Sequence, residues 1–184
     1  MADPQRQRLM DAPAVERTLE RMAREVLEMA GGTEGLAIIG IHRRGVHLAD
    51  RLAAAIARER GEEVPTGTLD ITLYRDDLMT VGPRPVVGPS ALPDGGIDER
   101  VVVIVDDVLY TGRTVRAALD ELADFGRPRR TLLCVLVDRG GRELPIQPDV
   151  VGERVEVPAG GRVEVLVPEL DGELGVEVLG GSRG

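Results

Sequence analysis

The 184 residues carry 32 acidic and 23 basic side chains, for a formal net charge of -9 and a pI near 4.8. That balance excludes a generally basic nucleic-acid or membrane-surface protein, while leaving room for a local basic patch. Every basic residue is arginine, so the Walker A phosphate loop, a pyridoxal Schiff base and a lysine general base are all excluded, because each needs a primary amine.

The length suits one domain with a real core, and the 23 glycines and 12 prolines show no repeat or low-complexity pattern. The aromatic residues are Tyr74, Tyr110 and Phe125, too few for a base-stacking platform. A lone cysteine, Cys134, rules out an intrachain disulfide and a cysteine metal cluster and reads as a small buried hydrophobe. With no signal pattern at the N-terminus and no apolar run near the ~18 residues needed to span a bilayer, the expected address is the cytoplasm, away from membranes.

In chain order, Asp11 followed by Pro13 marks a helix start, and Val15, Leu19, Met22, Val26 and Met29 form an apolar stripe that ends at Gly31-Gly32. Arg17, Arg21 and Arg24 share the opposite face with Glu16, Glu20 and Glu28, which reads first as a solvated charged surface. Residues 36–41 read as a strand, His42 to Gly45 as a loop, and Val46 to Gly61 as a helix. Residues 68–74 alternate as a half-buried strand. From Arg75 to Glu99 no period survives, and a segment that long reads as a mobile flap over a site.

Val101 to Val105 is a β-branched run expected to be a central strand covered on both faces, with Asp106 and Asp107 directly after it. A helix follows through Val115 and Leu122 to Phe125, then a buried strand over 131–137. The tail from Asp138 holds valine-rich pieces at 155–157, 163–167 and 176–179, suited to an edge or a small cap. Strand, helix and strand in alternation predict an α/β fold with a central parallel sheet, its functional loops at the carboxyl ends of the strands.

The chemistry concentrates in VVVIVDDVLYTGRT, residues 101–114. Thr111, Gly112, Arg113 and Thr114 fall where the first free amides of a helix point outward, so their N–H groups and hydroxyls suit a phosphate. Asp106 and Asp107 suit two vicinal sugar hydroxyls, or Mg2+ directly or through water. A phosphorylated ribose satisfies both halves; two aspartates that merely solvate a turn are the plainer alternative.

These residues resemble the 5-phosphoribosyl diphosphate (PRPP) signature of the type I phosphoribosyltransferases. With LDITLYRDDL at 69–78, VDDVLYTGRTVRAAL at 105–119 and VDRGGRELPI at 137–146, the chain is similar to the bacterial PyrR family, whose members are pyrimidine operon attenuation regulators and uracil phosphoribosyltransferases. The resemblance implies one phosphoribosyltransferase domain with a flexible loop and a small hood built from the N-terminal segment and about 138–184. It implies that Asp106 and Asp107 bind the ribose hydroxyls and that Val108, Leu109, Tyr110, Thr111, Gly112, Arg113 and Thr114 hold the 5′-phosphate. Ile41, His42, Arg43 and Arg44 become the pyrophosphate loop, in which the superfamily often has a non-proline cis peptide. Arg75 opens the flexible loop over PRPP and Mg2+, and Val137, Asp138 and Arg139 meet the base.

The implied reaction converts uracil and PRPP to UMP and pyrophosphate. The implied partners are UMP or UTP, the leader mRNA of a pyrimidine operon and further copies of the chain in a dimer or larger assembly. Arg17, Arg21, Arg24, Arg142 and Arg154 are the candidate RNA contacts. The chain departs from the family pattern at Arg43, where a small hydroxyl residue is usual, and at Gly141, Gln147, Glu153, Glu156, Val157 and Pro158, where positive or hydroxyl groups give way to others. Fewer phosphate contacts follow, so a salvage enzyme without the RNA function stands beside the regulator.

Overall fold

The computed structural model describes residues 6–72 and 90–180. Five parallel strands form the main sheet in the order β3-β2-β4-β5-β6: β2 (Leu36–Ile41), β3 (Thr66–Leu69), β4 (Val101–Leu109), β5 (Arg130–Asp138) and β6 (Val150–Arg154). A separate antiparallel sheet, ordered β1-β8-β7, joins β1 (Arg6–Met10) to β7 (Arg162–Leu166) and β8 (Gly175–Leu179), so it brings the two ends of the chain together.

Helices α1 (Ala12–Ala30) and α2 (Arg44–Arg60) cover one face of the main sheet, and α3 (Arg113–Phe125) covers the other. On α1 the Asp11 carboxylate accepts from the Ala14 amide and Gly31 closes the last turn in the left-handed region, as the sequence predicts. Its buried stripe of Val15, Leu19, Met22 and Val26 packs with Leu48, Leu52 and Ile56 of α2 and with Val101, Val103 and Val105 of β4. Ile104 and Val102 point to the other side, against Val115, Ala118 and Leu122 of α3. Both faces of β4 are thus covered, which is why it reads as an unbroken apolar run. Cys134 lies fully buried on β5, and burial, with the charge of Glu25 adding to it, pushes its thiol up to about 12.

Several expectations need correction. The strand expected over 68–74 begins at Thr66 and ends at Leu69, because its partner β2 ends at Ile41; Tyr74 lies outside the described residues. The carboxylates Asp106 and Asp107 do not follow β4 but lie within it, since pairing with β5 runs on to Leu109 opposite Asp138. The piece at 155–157 is not a strand; the pairing with β5 uses Val150 to Arg154 instead. Of the flap expected over 75–99, residues 75–89 and with them Arg75 lie outside the described residues. The rest is packed: Ala91 exchanges main-chain hydrogen bonds with Thr68, and Ile97 is 1% exposed beneath α3.

Candidate active site

β2 pairs with β4 only as far as Gly40 opposite Val105, whereas β4 continues beside β5 for four more residues. The chain leaves β2 for α2 on one face and leaves β4 for α3 on the other. That divergence opens a crevice at the carboxyl ends of the strands, the usual ligand position in an open α/β sheet.

A cleft of about 240 Å³ occupies it, lined by Ile41, His42, Arg43, Arg44, Ile71, Thr72, Asp106, Asp107, Val108 and Thr114. The fold therefore gathers the 41–44 loop, the paired carboxylates and the start of α3 in one place. The peptide between His42 and Arg43 is cis. Ile71 and Thr72 join the cleft without having been singled out in the sequence; their signal lay in the LDITLY block, where Asp70 accepts from both the amide and the hydroxyl of Thr72 and so fixes its side chain.

Asp106 is 6% exposed, and burial first and the neighbouring Asp107 second push its carboxyl well above the usual carboxylate range. One oxygen of Asp106 accepts from the Asp107 amide and one of Asp107 accepts from the Val108 amide, which holds both side chains in place. Among the described residues no group of three or more His, Cys, Asp or Glu side chains is arranged to hold a metal by itself. Two carboxylates in a polar cleft fit Mg2+ of the kind that keeps most of its ligands from substrate and water.

The 5′-phosphate candidates divide between the cleft and its rear. Thr114 and Val108 line the cleft, and Gly112 at φ 94° makes the tight entry into α3. Leu109 is buried in the core, Tyr110 is half exposed, Thr111 lies on the turn before α3, and Arg113 is the first residue of α3. The base candidates lie apart from the cleft. Asp138 and Arg139 line a second hollow of about 430 Å³ with Gly140, Arg154, Val155 and Glu156, while Val137 is fully buried in the core.

Asp138 forms a 2.7 Å ion pair with Arg142. Burial alone would raise its carboxyl, but the bonds from Arg142 and the Gly140 amide, with the charges of Arg142 and Arg154, hold it below its ordinary value. A lowered folded value stabilises the protein above the unfolded carboxylate value, and that stabilisation is lost as pH falls through the folded value. Asp138→Asn is therefore expected to cost about 2 kcal/mol at neutral pH in chemical denaturation, with the gap to wild type closing in acid below about pH 4.

The five arginines read as RNA contacts are not equivalent. Arg17, Arg24 and Arg154 are exposed. Arg21 instead bonds the Val151 and Gly152 carbonyls of β6 and pairs with Glu25, and Arg142 is held by three internal acceptors. Charge at helical spacing does not show which guanidinium is spent on neighbouring carbonyls.

The phosphoribosyl transferase domain family matches residues 5–164. A bifunctional protein PyrR of Thermus aquaticus is 56% identical over 170 residues, covering 92% of this chain and 93% of its own. The chain belongs to the PyrR family of phosphoribosyltransferases. A second PyrR, from Herpetosiphon aurantiacus, is 53% identical over 89% of this chain and 90% of its own. Among solved structures, a hypoxanthine phosphoribosyltransferase of Trypanosoma cruzi aligns with a TM-score of 0.72 over 94% of both chains at 19% identity, a likeness of fold. The α/β phosphoribosyltransferase architecture expected from the sequence is thereby established for this PyrR family member. No helix among its described residues is long and apolar enough to cross a membrane.

Proposed function

We propose that this PyrR family member transfers the phosphoribosyl group of PRPP to uracil, giving UMP and pyrophosphate, in the cytoplasm. The observation that carries the reading is the single cleft in which Asp106, Asp107 and Thr114 meet residues 41–44 at the divergence of β2 and β4. Asp106 and Asp107 accept hydrogen bonds from the ribose hydroxyls, and the amides and hydroxyls from Val108 to Thr114 take the 5′-phosphate. The 41–44 loop, with Arg43 and Arg44, takes the departing pyrophosphate, while Asp138 and Arg139 orient the base.

The bond from C1′ to the pyrophosphate oxygen breaks as the bond to the uracil nitrogen forms, and the pyrimidine proton passes to solvent or pyrophosphate. Mg2+ bound with PRPP supplies charge neutralisation on the leaving group. The chain's own share is positioning and electrostatics, so no covalent intermediate is required. Arg75, outside the described residues, belongs to the same proposal as a PRPP contact. Incubating the protein with uracil, PRPP and Mg2+ tests the reading: UMP appears, and its absence refutes it.

Arg44 links this site to the small sheet. Its guanidinium donates to Asp171 at 2.8 Å, and Asp171 in turn accepts from the Val167 amide, which fixes the carboxylate. Asp171 is held below its ordinary value despite burial, chiefly by the Arg44 bond, while Arg44 is raised by the same bond and, further off, by the charge of Asp107. Asp171→Asn therefore frees Arg44 from its fixed place beside the cleft, and the KM for PRPP is expected to rise roughly fivefold with kcat little changed in steady-state assays.

The regulatory half of the proposal is UMP- or UTP-dependent binding of leader RNA by a dimer or larger assembly, with Arg17, Arg24 and Arg154 as the remaining contacts. Two observations favour the narrower reading, a salvage enzyme alone: Arg21 and Arg142 are committed within the fold, and Glu153 shares a groove with Arg17. Binding of the leader RNA with and without UMP across a salt series separates them, since a regulator binds more tightly with UMP and less tightly in salt.

A further inference from the structure

The segment from Asp138 to Ile146 is draped over the phosphate turn, and it takes up the turn's carbonyls in order. Leu109 accepts from the Arg139 amide at 3.0 Å, Tyr110 from the Arg142 guanidinium at 2.9 Å, and Thr111 from the Glu143 and Leu144 amides at 2.9 and 3.1 Å. The carbonyls of three consecutive residues are thereby tied to the rear of the turn, and the Arg113 amide that follows donates to the Thr111 hydroxyl at 3.3 Å, while Thr114 reaches the cleft.

Arg142 is the hub of this strap. Its three donor nitrogens reach three different places: the Tyr110 carbonyl, the Ile146 carbonyl at 2.9 Å and the Asp138 carboxylate at 2.7 Å. Each acceptor is met by a different nitrogen of one rigid plane, a spacing that a single ammonium nitrogen does not reproduce, and the side chain is 19% exposed. The packing around the turn is equally close. Arg139 lies 3.9 Å from the Tyr110 ring centroid, and a Cβ on Gly141, at φ 78°, would collide with the same ring.

We infer that Arg142 is a positioning residue for the 5′-phosphate, one that locks the phosphate turn to the base-side segment, rather than a contact for RNA. The inference rests on the proposed transferase site and adds a role there for a residue that touches neither the cleft nor, through its own guanidinium, any ligand. Phosphate affinity then depends on the strap, whereas pyrophosphate affinity, which belongs to the 41–44 loop, does not.

Titration calorimetry with ribose 5-phosphate and with inorganic pyrophosphate tests this in the full-length wild-type protein, in Arg142→Met and in Arg142→Lys. Both variants are expected to bind ribose 5-phosphate on the order of tenfold more weakly while binding pyrophosphate as wild type does. Lysine keeps the charge but has no fork, so it does not rescue. Unchanged affinity for both ligands, or equal loss for both, overturns the inference. A wild type that binds neither ligand overturns the transferase reading itself, and this inference with it. Should neither variant fold, hydrogen exchange in the wild type decides: ribose 5-phosphate slows exchange of the Arg139, Glu143 and Leu144 amides, and unaltered exchange overturns the coupling.

Discussion

Replacing Asp106 or Asp107 by alanine is expected to lower UMP formation by about a thousandfold or more, the scale at which a preorganised polar contact to the reacting sugar is removed. Both carboxylates line the cleft, and each is fixed by an amide of the next residue along β4. The variants differ in stability. Asp106 is buried and its carboxyl is held well above the usual range by burial and by Asp107, so the fold disfavours its charged form. Removing it relieves that penalty, and Asp106→Ala is expected to unfold in denaturant no earlier than wild type. Asp107→Ala, at the partly exposed position, is expected to be near neutral. Loss of turnover in a protein of undiminished stability places the effect in the site; turnover near wild type in either variant removes the ribose assignment.

Much of this arrangement was legible because the local signals agree with the global fold. Asp11, Pro13 and Gly31 bracket α1, and the run from Val101 to Val105 marks the central strand, because capping and burial leave direct traces in residue type. The block from Asp106 to Thr114 was legible for the same reason as a strand end that turns at Gly112 into α3. Other features depend on partners remote in sequence and leave no such trace. β3 begins at Thr66 because β2 pairs it there, although Thr66 and Gly67 carry no apolar period. β1 exists because β8 lies beside it, and Arg6 and Arg8 are tied down by Glu177. The contact of Arg44 with Asp171 spans 127 residues of chain, and nothing near Arg44 announces it. Of the arginines expected on an RNA face, Arg21 has the β6 carbonyls above it and Glu25 one turn on, whereas Arg24 is exposed.

Gly45→Ala is the substitution expected to damage the site most for its size. A Cβ at this position would stand 2.6 Å from the Val105 carbonyl oxygen and 3.3 Å from the Asp106 Cα, and at Gly40 it would stand 2.5 Å from both the Gly45 carbonyl oxygen and the Val46 Cα. These neighbours are backbone, which has no rotamer with which to move aside. The first turn of α2 therefore rests directly on the ends of β2 and β4, and that contact sets the distance between the 41–44 loop and Asp106. A methyl group forced into it costs about 1–3 kcal/mol by overpacking, read as an earlier denaturation midpoint. The effect on transfer is expected to be larger, roughly a hundredfold in kcat/KM, because a shift near 1 Å moves the pyrophosphate loop relative to the ribose carboxylates. Leu52→Ala, in the core beneath the same helix, serves as the comparison: it costs about 2–5 kcal/mol without moving the backbone contact. If Gly45→Ala loses activity only in proportion to its stability, as Leu52→Ala is expected to do, the close approach serves packing alone and the spacing of the two loops is set elsewhere.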